Sequence, residues 1–233
     1  MQRKVSTQKY VMAAFITGGI FLLGLFLGLV VEGKRVNFVE DSFEDQNVEF
    51  SSSQLQYSYV SSLDTKEACP AIYDIFYTNL ENLEITRLKL VRYIKDSKLN
   101  DDAFNLLKRK YMIEQLNYWL LSQQAKELCS ENLVSVLYFY SDDKECPRCG
   151  DQEFVLNYLK SVLEQNVLIF ALDAQFEQEP MVGILKSRYD ITGFPTLVIG
   201  DDAFTGFQDK DMLMETVCDK FSNVPQACDD YAN

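Results

Sequence analysis

The sequence predicts an α/β domain preceded by an N-terminal transmembrane helix, a polar stalk and an antiparallel helical hairpin. Three observations support this prediction: a long uncharged apolar run near the N-terminus, two cysteines at equal distances from a helix break, and strand patterns that alternate with helical patterns after residue 130. The predicted segments are a cytoplasmic N-terminus (1–10), a membrane anchor (11–31), an acidic stalk (32–62), the hairpin (63–130) and the α/β domain (131–233).

The predicted anchor, residues 11–31, is a run of 21 residues without a charge, rich in Phe, Leu, Ile and Gly. At about 1.5 Å per residue, a helix of this length spans the roughly 30 Å hydrocarbon core of a bilayer. A cleaved secretory signal is the alternative, but its apolar region usually has about 7–15 residues and ends at a small-x-small site, which this run does not offer. We therefore expect an uncleaved anchor in the cell membrane.

The charges beside the anchor favour, by a small margin, a cytoplasmic N-terminus. Three basic residues precede the run and two follow it, and basic residues are enriched on the cytoplasmic side of a span. The bulk of the chain is then expected outside the cytoplasm. Gly24 and Gly28 form a GxxxG pattern that permits a dimer through close helix packing, although in a span with four glycines the spacing can also be incidental.

The stalk, residues 32–62, has six acidic residues, a serine run at 51–53 and no sustained apolar periodicity. Such a composition is typical of a polar, self-repelling linker that holds the next domain away from the membrane.

Two cysteines define the hairpin. Apolar residues three and four positions apart predict a helix on each side of Leu99. Cys69 lies 30 residues before Leu99 and Cys129 lies 30 residues after it, so antiparallel helices bring the two cysteines together at the open end. A disulfide is expected there outside the cytoplasm; two buried free thiols are the alternative. The basic cluster at 108–110 is expected on a solvated face because the hairpin as a whole is neutral.

The last segment alternates strands and helices. Strands are predicted at 133–140, 167–172 and 193–199 with an edge strand at 201–207, and helices after residue 149, at 181–189 and at 209–221. This order is typical of an α/β domain.

A Cys146-Pro147-Arg148-Cys149 motif lies between the first strand and the following helix. Cys146 is predicted as the helix N-cap and Pro147 as the first helical residue, where its missing N–H costs nothing. The positive end of the helix favours a thiolate at Cys146, and Cys149, one turn later, is placed to resolve a mixed disulfide. Cys146 and Cys149 are therefore the candidate catalytic residues.

Together with Gly193-Phe194-Pro195-Thr196, this motif and its strand and helix order resemble the thioredoxin family over residues 131–233. The resemblance implies a thioredoxin-like fold, a cis Pro195 against the active-site disulfide, and a loop of Phe194, Pro195 and Thr196 that binds an extended substrate segment. It implies thiol–disulfide exchange without a cofactor.

The sequence also departs from that family. Glu145 stands where thioredoxins have Trp, Tyr140 stands where they have a buried Asp, and the family's first strand is absent. Because of Pro147, the dipeptide between the cysteines resembles that of the periplasmic disulfide-oxidase branch more than that of thioredoxins. Arg148 and the helix dipole favour an oxidising disulfide, whereas neighbouring acids such as Glu145 oppose it. These features favour, by a small margin, an oxidising or isomerising protein over a reductase, and Pro147, Arg148 and Glu145 are expected to modulate the site.

The remaining cysteines, Cys218 and Cys228, have nine residues between them and predict a disulfide that pins the C-terminal tail. A zinc site formed with Cys146 and Cys149 is the alternative, but this spacing is not that of a short metal-binding knuckle. We expect no metal.

The composition excludes several classes of function. The chain has six cysteines and no histidine, which rules out Ser-His or Cys-His nucleophile pairs and histidine-ligated metals. A net charge of −13 argues against a nucleic-acid partner.

The leading hypothesis is a membrane-anchored extracytoplasmic thiol–disulfide oxidoreductase. It would act on cysteine-containing protein substrates, and a membrane redox partner would recycle its cysteines. The alternatives are a non-catalytic scaffold that uses the hairpin as its partner surface, and a cysteine-ligated metal protein.

Overall fold

The computed structural model describes residues 11–12, 16–26, 52, 54–56, 58–60, 62–63, 65–95, 101–229 and 231. It divides into two compact units, Met1–Tyr59 and Val60–Asn233. In the first unit, residues 16–26 are helical with exposed side chains. No helix within the described ranges is both long and apolar enough to cross a membrane. The predicted cytoplasmic segment, Gly28 and parts of the predicted anchor and stalk lie outside the described residues. The stalk residues described between 52 and 62 are all helical.

The second unit begins with the hairpin, helices α1 (Thr65–Lys95) and α2 (Asp101–Cys129). Two aromatic contacts join α1 to α2, between Phe76 and Tyr118 and between Tyr93 and Phe104. The first contact joins the early part of α1 to the late part of α2 and the second joins the late part of α1 to the early part of α2, so the two helices run antiparallel.

A four-stranded sheet follows, made of β1 (Val134–Tyr140), β2 (Val167–Asp173), β3 (Thr196–Ile199) and β4 (Asp202–Thr205). The strand order is β2-β1-β3-β4, with β1 and β2 parallel and the other neighbours antiparallel. The connecting helices are α3 (Cys149–Leu163), α4 (Pro180–Arg188) and α5 (Lys210–Cys218), with 3₁₀ turns at Glu164–Asn166 and Gln226–Cys228. The result is a mixed α/β fold.

Side-chain alternation along β1 divides the core in two. Val136 and Tyr138 face one side, with residues of α3 and α5, whereas Leu137 and Phe139 face the other, with residues of α2 and α4. The hairpin's second helix therefore forms part of one layer of an α/β/α sandwich and shares its core.

Polar contacts also hold the hairpin against the sheet. The Gln115 amide of α2 donates to the carbonyl of Ala171 at 3.0 Å and accepts from the Ala171 N–H at 2.9 Å. Lys108 forms an ion pair with Asp173 at the end of β2, and both side chains are largely buried. The expectation of a solvated basic face is therefore wrong for Lys108, because α2 lies over the sheet and brings this ammonium group to the Asp173 carboxylate.

Candidate active site

Cys146 and Cys149 are joined by a disulfide, with their Cα atoms 5.4 Å apart, between the end of β1 and the start of α3. Asp142 organises the approach to this motif. Its carboxylate accepts from the N–H groups of Lys144 and Glu145 at 3.1 and 3.0 Å, and its carbonyl accepts from the N–H of Cys146 at 2.8 Å. This Asx-type turn fixes the backbone of Cys146 before the helix begins.

Helix α3 begins later than the sequence predicts. Its first residue is Cys149 and its N-cap is Arg148, so Cys146 is not the N-cap and Pro147 is not the first helical residue. The Cys149 N–H donates to the carbonyl of Cys146 at 3.2 Å, which is a turn of the tighter i→i−3 kind, and the Gln152 N–H donates to the carbonyl of Arg148 at 3.1 Å. Cys146 still lies immediately before the positive end of α3.

Both cysteines are buried in this oxidised state. Cys146 is 1% exposed and Cys149 is 8% exposed, and both belong to the core cluster shared by α3, α5 and one face of the sheet. A reacting sulfur in a substrate therefore reaches Cys146 only after neighbouring groups move aside.

The segment at residues 206–208 is held against the start of α3 by two sets of contacts. The Arg148 guanidinium lies over the Phe207 ring, 3.6 Å from its centroid. The Gln152 amide donates to the carbonyl of Gln208 at 3.3 Å and accepts from the Gln208 N–H at 2.8 Å. These contacts hold the first turn of α3 against residues 206–208.

The predicted modulating residues are placed as follows. Arg148 also pairs with Asp151 at 3.2 Å on the surface, so its charge is shared with that carboxylate. Glu145 accepts a long hydrogen bond of 3.4 Å from the Ser141 hydroxyl. Both side chains are exposed, and screening by water weakens their effect on the cysteines.

Two tyrosines of β1 lie beside the motif. The buried Tyr138 hydroxyl donates to the carbonyl of Cys149 at 2.8 Å. Burial, assisted by the charge of Glu153, raises the pKa of Tyr138 to about 12. Burial, with a contribution from the charge of Asp173, also raises the pKa of Tyr140. At neutral pH both side chains are therefore neutral phenols, which donate hydrogen bonds and do not act as general bases.

The Phe194-Pro195 peptide bond is cis. The carbonyl of Pro195 accepts from the N–H of Gly206 at 2.8 Å, and the buried Thr196 hydroxyl donates to the carbonyl of Gly193 at 2.7 Å. Phe194 packs against the cluster that contains both active-site cysteines. Within the described part of the chain, no backbone hydrogen bond outside the sheet and helices involves Phe194. Pro195 and Thr196 therefore use their polar groups internally, and Phe194 keeps its backbone available.

The other four cysteines form two further disulfides. Cys69 and Cys129 are joined with Cα atoms 5.5 Å apart, and Cys218 and Cys228 with Cα atoms 5.7 Å apart. Across the described residues, no three metal-ligating side chains come together.

Sequence reasoning missed four residues that shape this site: Tyr138, Asp142, Gln152 and Phe207. An Asp shortly before a CxxC motif is a turn signal that could have identified Asp142. The other three act through contacts to residues 11 to 59 positions away, for which the sequence pattern carries no signal.

No known family profile and no curated protein matches the chain. Several solved structures are similar to part of it, among them the following two. One is described as the structure of a malarial protein. Its sequence is 19% identical, the TM-score is 0.31, and the match covers 37% of this chain and 94% of that chain. The other is a chloroplastic thioredoxin z, 22% identical with a TM-score of 0.31, over 41% of this chain and 85% of that one. A thioredoxin-like structural neighbour is thus found at a low TM-score over part of the chain.

Proposed function

We propose that this protein is a thioredoxin-like thiol–disulfide oxidoreductase that exchanges disulfides with protein substrates. The observation that carries the proposal is the Cys146–Cys149 disulfide at the start of helix α3, whose first residue is Cys149. The positive end of that helix favours the thiolate of Cys146, which is the nucleophilic form. The cis Phe194-Pro195 loop, packed on the same cluster, gives additional support as the substrate-binding element.

In the reducing direction, the Cys146 thiolate attacks a substrate disulfide and forms a mixed disulfide, releasing one substrate thiolate. The Cys149 thiolate then attacks Cys146 Sγ, forms the Cys146–Cys149 disulfide and releases the second substrate thiolate. Two electrons pass from the protein dithiol to the substrate. The same steps in reverse oxidise a substrate dithiol, and a membrane redox partner then restores the starting state of the motif.

The proposal includes the location of the protein. Residues 11–31 anchor it in the cell membrane, residues 1–10 lie in the cytoplasm, and the acidic stalk holds the remaining chain outside. Two further disulfides, Cys69–Cys129 and Cys218–Cys228, support an oxidising compartment, because such bonds are rare in the cytosol.

Exchange with a fluorescent synthetic peptide carrying two cysteines, supplied as dithiol or as disulfide, tests the activity. Cys146→Ser should abolish exchange in both directions, because the attacking sulfur is lost. Cys149→Ser should instead trap a mixed disulfide on Cys146, visible by mass spectrometry. Ser187→Ala, on the exposed side of α4, is the control and should exchange at the wild-type rate. Undiminished turnover in Cys146→Ser would rule out the assignment.

The reduction potential of the motif, measured against glutathione or dithiothreitol, assigns the direction. A value of about −120 mV is expected of an oxidase and one of about −270 mV of a reductase.

A non-catalytic scaffold is the second candidate, and the burial of Cys146 at 1% exposure favours it. This candidate predicts a Cys146–Cys149 disulfide that stays oxidised below about −300 mV, as structural disulfides do.

A further inference from the structure

A groove of about 760 Å³ is lined by Cys149 of the motif and by no residue of the Phe194-Pro195 loop. Its walls are α1 and α3 and its floor is the edge of the sheet. The lining includes Leu80 and Leu83 of α1, Tyr138 and Tyr140 of β1, Ile169 of β2, and Cys149. We call it the edge groove. It runs from the hairpin to the second cysteine of the motif, and the proposed exchange reaction does not use it.

The floor of the edge groove contains one strand residue, Ile169, whose outward backbone N–H and C=O have no partner among the described residues. β2 is an edge strand, and residues two apart along a strand direct their backbone groups to the same side. Ala171 uses its outward groups on the Gln115 amide, and the carbonyl of Val167 accepts from Lys160 Nζ at 2.8 Å. Ile169 lies midway between them, half-buried, and within the described part of the chain no hydrogen bond occupies its outward N–H and C=O. The N–H and C=O of an edge-strand residue need hydrogen-bond partners, and an added strand can supply them.

The charges of the edge groove are unbalanced at its cysteine end. Glu84 and Arg87 form an ion pair at 2.7 Å, and the Lys160 ammonium donates to the carbonyl of Val167 and keeps its positive charge. With three acidic and two basic side chains, the lining carries a net charge of −1. Glu153 and Asp143 also line the groove, and neither forms an ion pair with any described side chain. The chain as a whole carries −13. The groove therefore favours a basic occupant.

Apolar surface completes the recognition features. Leu80 on the α1 wall is 44% exposed, and Tyr77 next to it on the same helix is 71% exposed. Such a run of exposed apolar side chains beside a concave surface is typical of an interaction site.

We propose that the edge groove binds an extended segment of a partner protein that alternates apolar and basic side chains. The segment adds to the sheet beside β2 and pairs its backbone with Ile169. Its apolar side chains contact Leu80 and Leu83, and its basic side chains approach Glu153 and Asp143. A helical occupant would satisfy its own backbone and leave Ile169 unpaired. This proposal goes beyond disulfide exchange, because it assigns a second protein-binding surface that does not depend on turnover at Cys146.

The probe is an acetylated, amidated and fluorescein-labelled hexapeptide, Lys-Val-Lys-Val-Lys-Val, titrated with the oxidised full-length protein and followed by fluorescence anisotropy. Saturable binding is expected. A matched Glu-Val-Glu-Val-Glu-Val peptide should bind about tenfold more weakly or worse, because it meets uncompensated carboxylates. The basic peptide N-methylated at its central valine, which cannot donate to the strand edge, should lose about fivefold or more.

Protein variants locate the site. Glu153→Lys should weaken binding of the basic peptide by about tenfold, whereas Glu177→Lys, an equal change of charge at an exposed position outside the groove lining, should not. Leu80→Lys should also weaken binding, because it places a cation on the apolar wall. Equal binding of the acidic and basic peptides, equal effects of Glu153→Lys and Glu177→Lys, or no saturation at protein concentrations up to about 1 mM would overturn the proposal.

Discussion

Tyr138 connects several features of the site through one hydroxyl group. It donates to the carbonyl of Cys149 and lies in the core beside both cysteines, and its ring also lines the edge groove. Its burial keeps the phenol neutral well above neutral pH. The hydroxyl therefore anchors the first turn of α3 while the sulfur of Cys149 changes its bonding partner.

Tyr138→Phe tests this anchor. The substitution removes the side-chain donor to the carbonyl of Cys149, which keeps the helical N–H of Glu153 as a partner, so we expect the free energy of unfolding at pH 8 to fall by about 0.5–1.5 kcal/mol. Urea denaturation measures the change. Tyr77→Phe, which alters a tyrosine that is 71% exposed, is the control and should leave the midpoint within experimental scatter.

The same variant should differ from the wild type in its response to alkaline pH. The pKa of folded Tyr138, about 12, lies above the value near 10 expected in the unfolded chain. The unfolded state therefore loses this proton first, and the stabilisation, complete below about pH 10, is lost as the pH rises towards 12. Tyr138→Phe lacks this contribution, so its stability should fall less than that of the wild type between pH 8 and 11. Equal falls would contradict the assignment.

Among the secondary-structure elements, helix α2 of the hairpin belongs to the core of the sheet domain. Its residues Met112, Leu116 and Trp119 share a core with Phe139 and Phe170 of the sheet. Gln115, on the same helix, occupies the outward backbone groups of Ala171 and blocks that part of the β2 edge.

Gln115→Ala should therefore destabilise the whole second unit. It leaves the N–H and C=O of Ala171 unsatisfied, at an expected cost of about 2–4 kcal/mol. Thermal or urea unfolding, followed both by hairpin Trp119 fluorescence and by far-ultraviolet circular dichroism, gives the measurement. Gln123→Ala, on the same helix and without a side-chain hydrogen bond to any described residue, is the matched control. If the hairpin unfolded separately in Gln115→Ala, with the sheet unaffected, the docking would be energetically unimportant.

These elements show which parts of the structure the sequence predicts. The strand runs around Val136 and Leu197 are apolar and β-branched, so local composition identifies them. The equal distances of Cys69 and Cys129 from Leu99 predict their pairing, and the structure joins them. These signals are local or follow from the geometry of one hairpin.

The remaining features depend on contacts between distant segments. Gln115 meets Ala171 56 positions later, and Lys108 meets Asp173 65 positions later. A glutamine in a helix and a lysine in a basic cluster give no indication of such partners. The delayed start of α3 has a local cause instead, because the carbonyl of Asp142 accepts the N–H of Cys146 in a turn that precedes the helix.

On the scale of the whole molecule, the three disulfides differ in what their reduction would release. Cys69–Cys129 joins residues 60 positions apart and Cys218–Cys228 joins residues 10 apart, whereas Cys146–Cys149 spans three. Loop-closure entropy grows with loop length, and the first bond is expected to contribute about 2–4 kcal/mol. Reduction of the shortest loop frees the least chain, so the motif can change its redox state while the two longer links hold the surrounding fold.

Membrane attachment is the remaining property of the whole chain that our proposal requires. The 21-residue uncharged run at 11–31 would carry it. We expect the full-length protein to remain in the membrane pellet after carbonate washing and the chain lacking residues 1–31 to move to the supernatant, since only hydrophobic insertion resists that treatment.

A pair of full-length variants separates insertion from other effects of truncation. Phe21→Arg with Leu22→Arg adds about 5–7 kcal/mol to the cost of inserting the run, at about 2.5–3.5 kcal/mol for each charge near the centre of a span. Phe21→Leu with Leu22→Phe keeps the same side chains in the opposite order and should remain in the pellet. Release of the arginine variant alone would support the anchor. Retention of both variants in the pellet would show that attachment depends on another part of the protein, and the proposed membrane location through residues 11–31 would then be abandoned.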